Sequence, residues 1–339
     1  MELDSAAKDD YFKFDVEAHI WPDTSDIKYF PGFQWEHPAF EGVTRALGIG
    51  GKAWEAKGKT KGGVEFPSSN DPETLIERMD KYGVDMACIL PESGWGKTHI
   101  RPISTNGYIM AACEKWPDRF VFTANVGPIT ARGIEHSMWE LEYLVKERNC
   151  KAVKMYHPED TYINDKQLWP FYQKVSDLGI PAYIHLGWCW VPPNLSKYCL
   201  TELLDEVVTE FPDLKIVAYH AGWPRYHELN LMAAVHPNLY ISLSLLLTWC
   251  VTAPRRAAEI IGEAIQFAGV DRVMFGTDYC NSEVQIKYAV EGFRNFQIPQ
   301  DMQEGYGFAP ISDEDRHKIF GLNLAKLLGI EPRRRVPGM

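Results

Sequence analysis

The sequence has no Cys-x-x-Cys pair, no excess of basic residues and no apolar run long enough to cross a bilayer. Its seven cysteines, at 88, 113, 150, 189, 199, 250 and 280, are odd in number and scattered. Such spacing supports neither a disulfide framework nor a thiolate zinc site; reduced, mostly buried thiols of a cytoplasmic protein are expected. The 35 Lys and Arg are outnumbered by 46 Asp and Glu, for a formal net charge of −11. A chain of this sign lacks the basic face that nucleic acid or an anionic membrane demands. The opening Met1-Glu2-Leu3-Asp4 does not have the basic-then-apolar order of a signal peptide. Apolar runs such as Leu243 to Val251 fall well short of the roughly 20 residues of a membrane span. A soluble protein without nucleic-acid or membrane partners is the expectation.

What is present is apolar content: 45% of the 339 residues are hydrophobic and 13% aromatic, enough for a full-sized core. Length alone admits two ordinary domains or one large barrel. The order of elements decides between them. Short β-branched or aromatic runs precede helical patterns eight times over, the signature of βα units around a parallel sheet. The strands are expected at 11–19, 85–90, 119–125, 151–156, 180–185, 214–220, 239–243 and 272–276, and the helices near 72–83, 105–116, 131–147, 165–178, 198–210, 226–235, 254–267 and 283–295. Asp71-Pro72 offers a capping carboxylate followed by proline at the first helical position, and Ser312 with Asp315 resembles a capping box. The expectation is a single (β/α)8 TIM-barrel domain over 1–339, with an extra C-terminal helix at about 313–328. One segment breaks the rhythm: about 21–70, a long insertion between the first strand and the first helix, read as a lid. Within it Ala53 to Thr60 nearly matches a phosphate-binding loop, but Ala53 stands where glycine is required and no strand leads into it.

Catalytic groups of such barrels sit at the C-terminal ends of the strands. The first strand ends Glu17-Ala18-His19, whose spacing of two puts both side chains on one strand face. The fifth ends in His185, the sixth in His220, and Gly276-Thr277-Asp278 follows the eighth. Imidazoles and carboxylates in this mixture suit a divalent metal. Trp21, Tyr156, Trp188, Trp190, Trp223 and Tyr279 lie just past strand ends, where a flat substrate would pack. Arg101, Arg225 and Arg45 are candidates to pair with a substrate carboxylate, while His157, beside Pro158, reads as a loop residue.

Together with Asp15-Val16-Glu17-Ala18-His19, the markers Ile180 to His185, His220-Ala221-Gly222-Trp223, His236 to Tyr240, Phe275 to Tyr279 and Gly321 to Leu328 span nearly the whole chain. This set resembles the amidohydrolase superfamily, in its decarboxylase-like branch that includes aminocarboxymuconate semialdehyde decarboxylase and γ-resorcylate decarboxylase. The resemblance implies that Glu17, His19, His185 and Asp278 bind one divalent metal, with His220 beside it as a catalytic histidine. Many relatives have His-x-His in the first strand. Glu17 here, as in the γ-resorcylate type, adds a negative oxygen ligand and makes Mn2+ as acceptable as Zn2+. Lys154 stands about where binuclear relatives carry a carboxylated bridging lysine, but the incomplete ligand set favours a mononuclear site with Lys154 lining the pocket or ending in solvent. Relatives of this kind also assemble as homodimers or homotetramers.

The leading expectation is a metal-dependent, non-oxidative decarboxylase of an aromatic, hydroxybenzoate-like or enol-type carboxylic acid, a carbon–carbon lyase. The small-molecule acid is chelated to the metal, and Asp278 with His220 delivers the proton. The alternative is a hydrolase or hydratase acting on a lactone, amide or unsaturated acid through an activated metal-bound water. A barrel that keeps its metal but only binds ligands is a third reading.

Overall fold

The computed structural model describes residues 11–22, 70–91, 104–189, 194–280 and 283–336. Eight parallel strands follow one another in the order β1 to β8: β1 Phe14–His19, β2 Met86–Leu90, β3 Phe120–Ala124, β4 Ala152–Met155, β5 Ala182–His185, β6 Ile216–Tyr219, β7 Leu239–Ser242 and β8 Val273–Met274. The ring closes through the backbone amide of Val16, which donates to the carbonyl of Phe275 (3.2 Å), and that of His19, which donates to the carbonyl of Tyr279 (2.9 Å). With helices between the strands, this is a (β/α)8 TIM barrel. The strands are each a residue or more shorter than their apolar runs.

Local chemistry explains where several helices begin and end. Asp71 accepts from the Thr74 amide (2.7 Å), Pro72 starts the helix Pro72–Tyr82, and Gly83 in the left-handed region (φ 70°) stops it. Ser312 and Asp315 form a reciprocal capping box at Asp313–His317; a π-type turn, Lys318–Leu322, carries that helix on into Asn323–Leu328. Pro254–Ala268 and Tyr226–Val235 pack side by side outside β7, and Pro254–Ala268 also reaches β8. A helix at Gln300–Tyr306 was not expected from the sequence. No helix among the described residues is long and apolar enough to cross a membrane.

Two hydrophobic layers follow from strand periodicity. Residues such as Ala87, Ile89, Val153, Ile184, Ile216 and Ala218 pack outward under the helices, while Met86, Cys88, Ala152, Tyr183, Val217, Tyr219 and Met274 fill the barrel, with Leu324 and Ala325 of the last helix below them. Parity then predicts where functional side chains point. In β4, Ala152 faces in, so Lys154 faces in as well. β5 places Tyr183 and then His185 inside.

β1 breaks that parity. Phe12, Phe14 and Val16 belong to the inner layer, yet Ala18 and Ile20 belong to the outer one. Strict alternation from Val16 would have turned Glu17 and His19 out of the barrel. Pairing with β2 shifts register between Asp15 and Ala18, inserting one extra residue in β1. This bulge re-aims Glu17 and His19 inward, a use of bulges that recurs beside active sites. Asp15 braces it: its carboxylate accepts from the amides of Glu17 (3.0 Å) and Thr277 (2.9 Å) and from the Thr277 hydroxyl.

The base of the long insertion is also visible. Trp21 and Asn70 exchange backbone hydrogen bonds (3.0 and 3.1 Å) as an antiparallel bridge, and the Asn70 side chain donates to the His19 carbonyl (2.5 Å). The lid and the near-phosphate-loop at 53–60 lie outside the described residues, as do Arg45, Arg101 and Trp190.

Candidate metal centre

Every strand-end group singled out as a ligand or catalyst lies at the C-terminal face of the barrel. They form a continuous chain of contacts. Asp278 Oδ1 is 3.1 Å from His19 Nε2, which is 3.7 Å from Glu17 Oε1. Glu17 Oε2 lies 3.9 Å from His220 Nδ1, and His220 Nε2 lies 3.1 Å from His185 Nδ1. Glu17, His19, His185 and His220 are buried; the Asp278 side chain keeps 17% of its surface exposed.

Backbone conformation sets these positions. His220, Ala221 and Asp278 have positive φ (56°, 46° and 51°), uncommon for non-glycine residues and concentrated here at the strand ends. Gly187, at φ 88°, lies so close to the loop after β6 that a Cβ would sit 2.0 Å from the Trp223 carbonyl oxygen. Only glycine permits that approach, which draws the loops bearing His185 and His220 together. The turn at Asp278 is held by Gln285, whose amide nitrogen donates to the carbonyls of Thr277 (2.9 Å) and Asp278 (2.6 Å).

The electrostatics centre on Glu17. Burial by itself pushes its carboxyl up, but the Lys154 ammonium, aided by His220 and His19, holds it well below the usual carboxylate range. Lys154 Nζ donates to Glu17 Oε1 at 2.6 Å and stands 3.7 Å from the centre of the Tyr219 ring. Lys154 therefore lines the site rather than ending in solvent, and it does so as the counter-charge of a proposed ligand. His185 is driven well below the ordinary histidine value by burial, then by His220 and Lys154, and is a neutral imidazole, the form that binds cations.

The donor set fits a divalent cation. Glu17 Oε2 is fully buried and has no hydrogen-bond partner among the described residues. Leaving a carboxylate oxygen so costs free energy unless a cation satisfies it. Glu17, His19 and Asp278 would hold that cation, with His220 next along the chain of contacts and His185 beyond it. Among the described residues, donor atoms of His19, Asp278 and Cys280 all lie within 4.8 Å of one another.

The aromatic residues divide. Tyr156 meets His185 edge to face (centroids 4.9 Å apart), and its hydroxyl lies 3.0 Å from Cys189 Sγ. Trp188 is half exposed, and its carbonyl approaches His185 Nε2 (3.3 Å). Trp223 packs edge to face on Trp249 (5.4 Å). Trp21 and Tyr279 are fully buried: Trp21 sits in the bridge to Asn70, and the Tyr279 ring packs under Arg78 (5.4 Å). Arg225 turns to Glu202 (2.5 Å) with 43% of its side chain exposed. These last three thus have partners outside the cluster. His157 is buried in a short turn, between the Thr161 carbonyl (3.2 Å) and the Tyr172 hydroxyl (3.3 Å).

Three contributors escaped the sequence reading, and so did the partner of a fourth, Lys154. Asp15 lay inside a quoted motif, but its brace is a tertiary contact. Ser244, just past β7, places its hydroxyl 3.1 Å from His220 Nδ1. Lys154 pairs with a residue 137 positions away. Cys280 carried a local signal, Asp278-x-Cys280, that a search for paired cysteines passes over.

A parallel eight-stranded barrel with ionisable groups gathered at its C-terminal face has the layout of TIM-barrel enzymes. Within that class the chain belongs to the amidohydrolase family, whose model matches residues 14–330, and is an amidohydrolase-like, metal-dependent enzyme; the family generally uses a divalent metal. No curated protein sequence matches it. Among solved structures it is similar to an uncharacterised TIM-barrel protein from Bordetella bronchiseptica, at 20% identity and TM-score 0.64, covering 94% of this chain and 98% of that one. It is also similar to 5-carboxyvanillate decarboxylase from Sphingomonas paucimobilis (16% identity, TM-score 0.59, 95% and 100% covered). The same holds for 4-oxalomesaconate hydratase from Rhodopseudomonas palustris (16% identity, TM-score 0.57, 94% and 96% covered). At these identities the likeness is one of fold.

Proposed function

We propose that this enzyme is a non-oxidative decarboxylase of a planar carboxylic acid, aromatic and hydroxybenzoate-like or enol-type. The observation that carries the reading is the contrast within the cluster. Glu17, His185 and His220 are buried, whereas Asp278, touching His19, reaches the open face of the barrel. Asp278 is thus the carboxyl that can meet a substrate atom. A divalent cation bound here supplies Lewis acidity and a point of chelation for a carboxylate with a neighbouring hydroxyl.

The chain's own residues then do three things. The ring edge of Tyr156, the half-exposed Trp188 and Trp223 offer flat apolar surface for an unsaturated acid. Asp278 delivers a proton to the carbon that bears the carboxylate; the carbon–carbon bond then breaks, its electron pair restoring the unsaturated system as CO2 departs. His220, held between Ser244 and His185, stands behind Glu17 and steadies its charge. Addition of water to a lactone, amide or unsaturated acid would draw on the same residues, so the test must separate the two.

Protein loaded with Zn2+ or Mn2+ is incubated in D2O with a panel of hydroxybenzoates and related enol acids. Release of CO2 with one deuterium at the vacated carbon is expected. Turnover of a lactone, amide or unsaturated-acid panel, with every acid keeping its carboxylate, would overturn the decarboxylase reading.

A further inference from the structure

We propose that Cys280 is a sulfur ligand of the cation, joining His19 and Asp278, and that it biases the site toward Zn2+. The inference rests on the cation reading above and not on the choice of reaction. Donors around a tetrahedral zinc with one sulfur lie roughly 3.3–3.6 Å apart, given metal–ligand lengths of about 2.0–2.3 Å. Here His19 Nε2 and Asp278 Oδ1 are 3.1 Å apart, and Cys280 Sγ is 3.8 Å from Asp278 Oδ1. All three donor atoms fall within 4.8 Å of one another. The spacing is close to that of a ligand set before any adjustment.

The approach of the sulfur is built into the backbone. Asp278 takes the left-handed conformation (φ 51°), which folds the chain back so that residues 278 and 280 share a side. The turn is fixed around it. The Thr277 hydroxyl accepts from the Tyr279 amide (3.1 Å), the Tyr279 carbonyl accepts from the His19 amide (2.9 Å), and Gln285 ties down the carbonyls of Thr277 and Asp278. Cys280 is thereby anchored to the same segment of β1 that carries His19.

A separate observation points to a cation beside these three: Glu17 Oε2 is buried and has no hydrogen-bond partner among the described residues, on a carboxylate whose other oxygen lies 3.7 Å from His19 Nε2. The surroundings therefore call for a cation whether or not the thiol takes part. Sulfur then changes which cation suits. Carboxylate and imidazole alone accept Mn2+ and Zn2+, whereas a thiolate is a soft donor that favours zinc. None of the six other cysteines is in a disulfide among the described residues, and five of them are buried.

The test loads the full chain with Co2+, measures bound cobalt by elemental analysis and records the near-ultraviolet spectrum. About one cobalt per chain with a sulfur-to-cobalt charge-transfer band, lost in Cys280→Ser while cobalt stays bound, is the expected result. In competition between Zn2+ and Mn2+, the same variant should lose roughly tenfold or more of the preference for zinc. Stoichiometric cobalt without the band in the unaltered protein overturns the sulfur ligand and leaves the cation reading standing. A band that survives Cys280→Ser also overturns it, since another thiol is then bound. Absence of bound cobalt and zinc overturns both.

Discussion

Two buried carboxylates sit at opposite ends of the barrel, and they are treated in opposite ways. Asp85, fully buried at the start of β2, accepts from the amides of Lys13 (3.0 Å), Arg335 (2.6 Å) and Val336 (3.1 Å) and from the Arg334 guanidinium (3.2 Å). Both of its oxygens are satisfied, and it clamps the C-terminal segment to the underside of the barrel. Glu17, equally buried at the upper end of β1, has one oxygen on Lys154 and the other without a hydrogen-bond donor among the described residues. The first carboxylate serves stability, and the second holds unspent binding capacity. In TIM barrels the lower face is where residues stabilise and the upper face where they act.

The contrast can be broken by substitution. Asp278→Asn removes the proposed proton donor while leaving the fold, so turnover should fall by roughly 10²–10⁴ with the melting temperature almost unchanged. Near-normal turnover would remove Asp278 from the chemistry. Asp85→Ala strands buried backbone amides and a guanidinium at the lower end, and should cost about 3–5 kcal/mol in urea unfolding. The folded fraction should bind cation as before; a loss of binding in that fraction would show that the two ends are not separate.

His157 gives an intermediate effect. Burial lowers its pKa from 6.5 to about 4. The unfolded chain therefore binds a proton between those values that the folded chain refuses, and stability falls as pH drops through that window. The loss approaches about 3 kcal/mol near pH 4. His157→Gln should flatten this part of the stability profile, measured as urea midpoints at pH 7 and 4.5 against the unaltered protein. An identical slope in both proteins would show that His157 does not drive it.

The smallest change in stability is expected from the pair Glu17→Gln with Lys154→Met. Either single change leaves a buried charge alone, but the double change removes both and should lie within about 1 kcal/mol of the parent, or above it. Bound cation, read by elemental analysis, should nevertheless be lost. If the double variant keeps its cation, Glu17 is not a ligand and its free oxygen has another meaning.

Much of the fold was legible because its signals are local. Asp71-Pro72, Ser312 with Asp315 and the eight apolar runs describe caps and strands through contacts within a few residues. Strand ends were overestimated: flanking residues such as Asp85, Tyr156, His220 and Arg272 lie outside the strands. Of the site, the residue identities at the ends of β1, β5, β6 and after β8 were legible, because a barrel places all strand ends on one face. Which aromatic rings flank the cluster was not. Trp21 and Tyr279 follow strand-end motifs as Trp223 does, but local backbone direction sends them into the bridge with Asn70 and against Arg78. Arg225 found Glu202, a partner no spacing rule could assign.

By itself the sequence determined the order of strands and helices, the caps, and the set Glu17, His19, His185, His220 and Asp278, because periodicity and residue type are properties of short stretches. Only the tertiary structure decided that Glu17 and His19 face inward. Read by alternation from Val16, they would point out. The extra residue in β1 reverses them, and it is held by Asp15 reaching Thr277 across 262 positions. A bulge leaves a backbone amide in need of an acceptor, and here that acceptor also bridges to the segment leading out of β8 toward Asp278. The same closure of the ring that completes the barrel therefore assembles the site.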